Sequence, residues 1–343
     1  MNKGFKIEES LRNYFIGLGF YVIRGVKFNF KDILATDIDL FLYNRPSSLT
    51  RERINVDIKN KKNPQATERI FWTKGVQNIL EFDNCIIATT DKRPQIKDFG
   101  DKHNVIVLDG NFLNKIKEKD YNSRLTEEEF IEIILKDGLR KVSDNWSEIL
   151  ESEKSNFLTC LDYSGAIETL ENIKIFIESS ITNVRRRESS CRILYLLISY
   201  FLIKIDFILK DLAFANDNAR KDRLDLGLKY GNSGIEGLEK VISTANQIFN
   251  SEASGNIHAQ IHSEYDKIPT NILSEYFSKF HIGKKMFTNA KLFEFLAYSR
   301  NFKSPNDIPL ELKSILSLIL DYFLINRKDF FKNFPTTDSD LFT

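Results

Sequence analysis

Cysteine is scarce in this chain. The three thiols, Cys85, Cys160 and Cys191, are odd in number, widely spaced and without a CxxC pair. That pattern argues against a disulfide framework and is met most simply by reduced, partly buried thiols in a cytoplasmic protein. An excess of one charge is missing too: Lys plus Arg number 49 and Asp plus Glu 48, so the net charge of +1 names no partner. No secretory signal is expected, because the opening "MNKGFKIEESLRNYF" carries charges where an apolar core belongs. The greasiest stretch, "ILYLLISYFLIKIDFIL" (193–209), contains Lys204 and Asp206 and falls short of the ~20 apolar residues of a membrane span. A buried helix, and no membrane partner, is the expectation there. There is no fixed-period repeat. The glycines of "LGLKYGNSGIEG" follow no strand and lack GK[ST], which weighs against a nucleotide-binding loop.

What is present is the composition of a folded protein, 42% hydrophobic and 28% charged over 343 residues, enough for two or three domains. Residues 1–120 hold 21 basic against 16 acidic side chains and the remainder 28 against 32, a mild tilt of the first third toward a polyanion. Ile7, Leu11, Phe15 and Leu18 form a helical stripe ending at Gly19. "FYVIRGVKF", "DIDLFLY", "INVDIK", "CIIATT" and "VIVLD" then read as strands, with "TERIFWTKGVQNILEF" and "PQIKDFGDKH" as crossover helices. The order predicts a mixed α/β layer over 1–120.

After residue 120 nearly everything has helical periodicity, beginning with a capping-box spacing of Thr126 and Glu129. Helices are expected over about 126–138, 165–180, 187–213, 236–250, 273–281, 289–300 and 309–328. The second domain is therefore all-α over 121–343, with a sub-boundary near 214–235, where Asn, Asp and Gly accumulate.

The chemistry lies in "DIDLFLY" and "INVDIKNKKNP". Strand side chains alternate, so Asp57 and Lys59 share a face, as do Asp37 and Asp39. A hairpin through "NRPSSLTRER" brings both polar pairs to one side, while Ile38, Leu40, Val56 and Ile58 pack on the other. Acids converging on a half-buried sheet end repel unless a cation neutralises them, and carboxylate oxygens suit Mg²⁺ or Mn²⁺ better than zinc. Beside such an ion, Lys59 can stabilise the charge that grows on a phosphate under attack by water. The competing account is a solvated strand face with a cross-strand ion pair. Arg51, Arg53, Lys61, Lys62, Arg69 and Lys74 flank the motif and are candidates to neutralise nucleic-acid phosphates.

The ordered set "GFKIEESLRNYFIGLGFYVIRGVKF", "DIDLFLY", "VDIKNKK", "CIIATT" and "VIVLDGNFL" resembles the PD-(D/E)xK nuclease superfamily. Its layout is most similar to the Mrr-type restriction endonucleases and archaeal Holliday-junction resolvases, over residues 4–115 only. The resemblance implies a restriction-endonuclease-like fold and Mg²⁺-dependent hydrolysis of DNA phosphodiesters, with Mn²⁺ as substitute. It also implies Asp39 as the central metal ligand, Asp57 as the second ligand, Glu8 as a further ligand from the first helix, Lys59 as catalytic lysine, and Asp37 and Gln77 as auxiliary groups. Two departures stand out: no proline precedes Asp39, and the motif's acid is Asp57 where this branch more often has Glu. By analogy the helical domain serves assembly, sensing or a regulatory partner protein, in a homodimer or larger assembly that acts in prokaryotic genome defence. A non-cleaving DNA-binding or scaffold subunit and an RNA-cleaving relative are the alternatives.

His258 and His262 in "HAQIHSEYD" are spaced i, i+4 as metal ligands are, but the glutamate of HExxH is absent and no further ligand cluster is evident. "VRRRESSCR" is a candidate phosphate or acid contact, with a charged helix start as the simpler account. His103 is expected to be a structural residue of its turn.

Overall fold

The structure is a computed structural model, and it describes residues 3–31, 33–61, 64–117, 124–137, 146–249 and 254–334. The chain divides into two compact units, one of residues 1–159 with 298–300 and one of residues 160–297 with 301–343.

The first unit is built on a five-stranded mixed sheet in sequence order, β1 (Tyr21–Phe30), β2 (Ile33–Asn44), β3 (Glu52–Lys59), β4 (Asn84–Thr89) and β5 (Ile106–Leu108). The first three strands pair antiparallel as a meander. Parallel β4 and β5 require crossovers, supplied by α2 (Ala66–Ile79) and α3 (Pro94–Lys102). One sheet face buries Leu40, Leu42, Ile54, Val56 and Ile58 against Ile7, Leu11 and Phe15 of α1 (Lys3–Gly17) and Leu113 and Ile116 of α4 (Gly110–Lys117). The other packs Cys85, Ile87 and Val107 against Ala66, Ile70 and Ile96 of the crossover helices. The alternation of "INVDIK" and "DIDLFLY" follows from these faces: even-numbered residues enter the first core and odd-numbered ones take the opposite face, Asp57 meeting Arg69 of α2 and Phe41 meeting Phe82 and Phe157. At Gly19, φ is 96°, which lets the chain leave α1 and enter β1.

This unit runs past residue 120. The capping box forms as expected at α5 (Glu127–Asp137), where Thr126 N–H donates to Glu129 Oε2 at 2.7 Å and Glu129 N–H to Thr126 Oγ1 at 3.2 Å. The helix α6 (Trp146–Thr159), absent from the sequence expectation, places Phe157 on Tyr21 and Phe41. Glu127 fastens α5 to the rest: it pairs with Lys154 and, at 3.6 Å, with Arg12, and accepts a hydrogen bond from Tyr298 Oη at 2.6 Å. Burial opposes its charge, yet the two cations and the hydrogen bonds hold its pKa down to about 2.

The second unit is helical in all its described elements. The helix α7 (Tyr163–Thr182) packs along α8 (Arg187–Asp211), which contains the greasiest segment and is buried over most of its length. Lys204 lies fully inside, donating to Thr169 Oγ1 at 2.6 Å and to the Gly165 carbonyl at 3.1 Å, so its charge is solvated by α7. Among the described residues no helix is long and apolar enough to cross a membrane. The expected break over 214–235 is mostly α9 (Asp217–Tyr230). Its Asn and Gly residues are end signals: Asn216 caps the start by accepting from Ala219 N–H at 2.9 Å, and Gly231 ends the helix at φ 67°. The remaining elements are α10 (Gly234–Phe249), α11 (Ser254–Asp266), α12 (Thr270–Phe277), α13 (Phe280–Tyr298), α14 (Leu310–Tyr322) and α15 (Arg327–Lys332).

Candidate functional site

The β2–β3 ladder runs from Asn44↔Glu52 to Leu40↔Val56 and stops. The next residue on each strand is an acid, Asp39 and Asp57. Where the ladder ends its backbone donors need other acceptors, and Asp39 supplies one: Ile58 N–H donates to Asp39 Oδ2 at 2.5 Å. A carboxylate is thus drawn into the sheet end. Burial drives the Asp39 pKa up to about 7; the Ile58 hydrogen bond and Lys59 oppose this, while the negative charges of Asp57 and Glu8 add to it. No cation pairs directly with Asp39 among the described residues.

Lys59 and Asp57 share a strand face, as the alternation requires, with Lys59 Nζ 3.6 Å from Asp57 Oδ1. Arg69, one turn into α2, grips Asp57 with two donors, Nε to Oδ2 at 2.9 Å and Nη2 to Oδ1. The same guanidinium lies 5.3 Å from the Trp72 ring centre. Trp72 and Phe71 are both exposed, so an arginine and an aromatic face stand beside the Asp57–Lys59 pair. Trp72 is not among the site residues expected from the sequence, although Arg69 and Trp72 are three residues apart on a helix and therefore neighbours. Lys61 is exposed just beyond the strand, where its carbonyl accepts from Thr90 Oγ1 at 2.5 Å.

Glu8 enters from α1, held by Arg24 of β1 at 2.9 Å. Arg24 also pairs with Glu9 at 3.3 Å and Glu128 at 2.7 Å, so a single buried arginine serves three carboxylates. Glu8, Asp39 and Asp57 do not gather into a three-ligand group within 4.8 Å; among the described residues only Glu239, His258 and His262 do.

Other expected site residues lie elsewhere. Asp37 is exposed and paired across the ladder with Lys27. Gln77 turns to the start of β4, donating to the Asp83 carbonyl at 3.0 Å and accepting from Lys74 Nζ at 2.8 Å, so neither Gln77 nor Lys74 reaches toward Asp57 by these bonds. Arg51 is buried and ties up its own loop through the carbonyls of Ser47, Ser48 and Thr50. Arg53 binds the Glu81 carbonyl at 2.6 Å. Both arginines sit at the opposite end of β3 from Lys59, and at about 3.3 Å per residue Arg53 is roughly 20 Å away. Lys62 lies outside the described residues. His103 packs against Phe99 with ring centres 4.5 Å apart, as a structural residue does.

No family model, curated protein or solved structure matches this chain.

Proposed function

We propose that the first unit is a metal-dependent endonuclease that hydrolyses DNA phosphodiesters at the sheet end formed by Asp39, Asp57 and Lys59. The observation that carries this reading is Asp39, a carboxylate pulled into the sheet where the ladder ends, raised to about 7 and without a pairing cation among the described residues. The hydrogen bond from Ile58 N–H does not offset the burial of this charge, and a bound cation would. The donors are oxygens, which fits Mg²⁺ or Mn²⁺, with Asp39 and Asp57 as the residues to hold the ion and Glu8 within electrostatic reach. A bound ion of this kind neutralises phosphate charge and makes water a stronger nucleophile.

Lys59 points along the same face as Asp57, so its ammonium is available to a phosphate oxygen that gains charge during attack. Asp57 keeps that ammonium in place. Arg69 and Trp72 offer a strand of DNA a guanidinium for its phosphate and an aromatic face for a base, with exposed Lys61 nearby in sequence. For a phosphate to engage Arg69, the Asp57–Arg69 pair opens, which simultaneously frees Asp57 for the cation. Cuts on both strands call for two such sites, hence at least two copies acting together. A regulatory role for the helical unit, within prokaryotic genome defence, completes the proposal.

One observation favours a second reading. Arg69 on Asp57 and Arg24 on Glu8 already neutralise two of the three expected ligands, as a retired nuclease fold that only binds DNA would have them. End-labelled duplex DNA, single-stranded DNA and RNA of one sequence, incubated in Mg²⁺ and in EDTA, separate the cases. Cleavage of DNA in Mg²⁺ alone is expected. Cleavage of RNA only moves the substrate class, and retardation of DNA without cleavage supports the retired fold.

A further inference from the structure

The pair His258 and His262 of α11 has a third member that their spacing does not disclose. Glu239, on α10, places Oε2 2.8 Å from His258 Nε2 and Oε1 2.7 Å from His262 Nε2. The two imidazole centres are 4.5 Å apart. All three ligand atoms fall within 4.8 Å of one another, a property no other group of His, Cys, Asp or Glu shares among the described residues.

We propose that Glu239, His258 and His262 form a binding site for a divalent transition-metal ion of the zinc class, one that fastens α11 to α10. The i, i+4 spacing sets both imidazoles on one helix face, and the carboxylate facing them belongs to a different helix, so the three groups converge from two elements. Two imidazole nitrogens with one carboxylate match the preference of Zn²⁺, Co²⁺ or Ni²⁺ and not that of Mg²⁺ or Ca²⁺. Each histidine meets its own oxygen of Glu239, so one carboxylate bridges the two rings and holds all three side chains together. A cation held among them would take one donor atom from each of the three side chains. The side chains remain partly open, 25% for His262 and 45% for Glu239, so an ion has access. Three protein ligands leave at least one position for water or an incoming donor, as open zinc sites do.

This site is independent of the proposed nuclease chemistry, since it lies in the other unit and takes another class of metal. The test uses the full chain carrying Asp39→Asn, which removes the expected Mg²⁺ ligand, stripped with EDTA and titrated with Co²⁺ followed by visible absorption. One bound Co²⁺ per chain, displaced by Zn²⁺, is expected. The affinity should fall by more than about 100-fold in an added His262→Ala or Glu239→Gln change, since a lost ligand costs more than the roughly 10–100-fold of a lost outer partner. Zn²⁺ should raise the thermal midpoint of the parent and not of these variants, and a His258→Gln variant with unchanged circular dichroism guards against misfolding. Absence of a cobalt spectrum, or a spectrum and a zinc shift that persist in both ligand variants, overturns the proposal and leaves a hydrogen-bonded trio only.

Discussion

Replacing Asp39 by Asn should make the protein more stable and inactive at once. In the folded chain Asp39 titrates at about 7 instead of 3.8, a displacement caused first by burial. A raised carboxylate pKa means that the folded state holds its proton more tightly than the unfolded state. This group's favourable contribution is therefore complete below about pH 4 and is lost as pH rises to about 7. At 1.36 kcal/mol per unit, ionised Asp39 disfavours the fold by up to about 4 kcal/mol at pH 8. Asn carries no charge and keeps an oxygen for Ile58 N–H, but its amide nitrogen needs an acceptor of its own, so the net gain expected is about 2 kcal/mol. Urea unfolding of wild type and Asp39→Asn at pH 8 and pH 4 measures it. Using the difference between the two proteins cancels the groups they share. The gain should be present at pH 8, turn into a loss of about 2 kcal/mol at pH 4, where the cost of the charge is gone and that of the unpaired amide remains, and shrink at pH 8 when Mg²⁺ is added, because the ion stabilises only the chain with the carboxylate. Equal stability at pH 8, or a difference that does not change with pH, refutes the account of Asp39 as a buried, uncompensated acid.

The same titration makes metal binding pH-dependent: Mg²⁺ affinity by calorimetry should rise through about pH 7 with release of a proton, and be flat in Asp39→Asn. Lys59→Ala should leave the thermal midpoint and metal binding nearly unchanged while abolishing cleavage, whereas a large loss of stability supports a purely structural ion pair with Asp57. Arg69→Gln should tighten Mg²⁺ binding a few-fold by uncovering Asp57 and weaken DNA binding, read by calorimetry and fluorescence anisotropy; unchanged values for both would show that Arg69 neither guards the site nor meets DNA. Glu127→Gln should cost about 3 kcal/mol near neutral pH, because it takes a buried carboxylate away from both Lys154 and Arg12. That contribution comes from a depressed pKa, 4.5 to about 2, so it is present above about 4.5 and lost as pH falls through about 2, which denaturation at pH 7 and pH 2 checks.

The legible parts of the fold are those with a strong local period. The stripe Ile7, Leu11, Phe15 and the alternation through Leu40, Leu42, Val56 and Ile58 each specify an element and its buried face. Asp39, Asp57 and Lys59 were legible for the same reason, since strand parity and a two-stranded turn determine which residues can meet. Distance along the sequence misled where strand length intervenes: Arg51 and Arg53 are near Asp57 in number yet stand at the other end of β3. Gln77 shares a helix with Arg69 but points to the start of β4 through Asp83. Glu239 was beyond reach, because its partners lie on another helix and no periodicity links them. The grouping of α5 and α6 with the sheet depends on Glu127, Arg12 and Lys154, a network that composition does not reveal.

The most direct measurement is cleavage of a supercoiled plasmid by the full chain in Mg²⁺, Mn²⁺ and EDTA, beside Asp39→Asn and Lys59→Ala shown by circular dichroism to be folded. The account predicts nicking or linearisation by the wild type with either metal, and none in EDTA or with either variant. Cleavage that survives in both folded variants, or in EDTA, would contradict it.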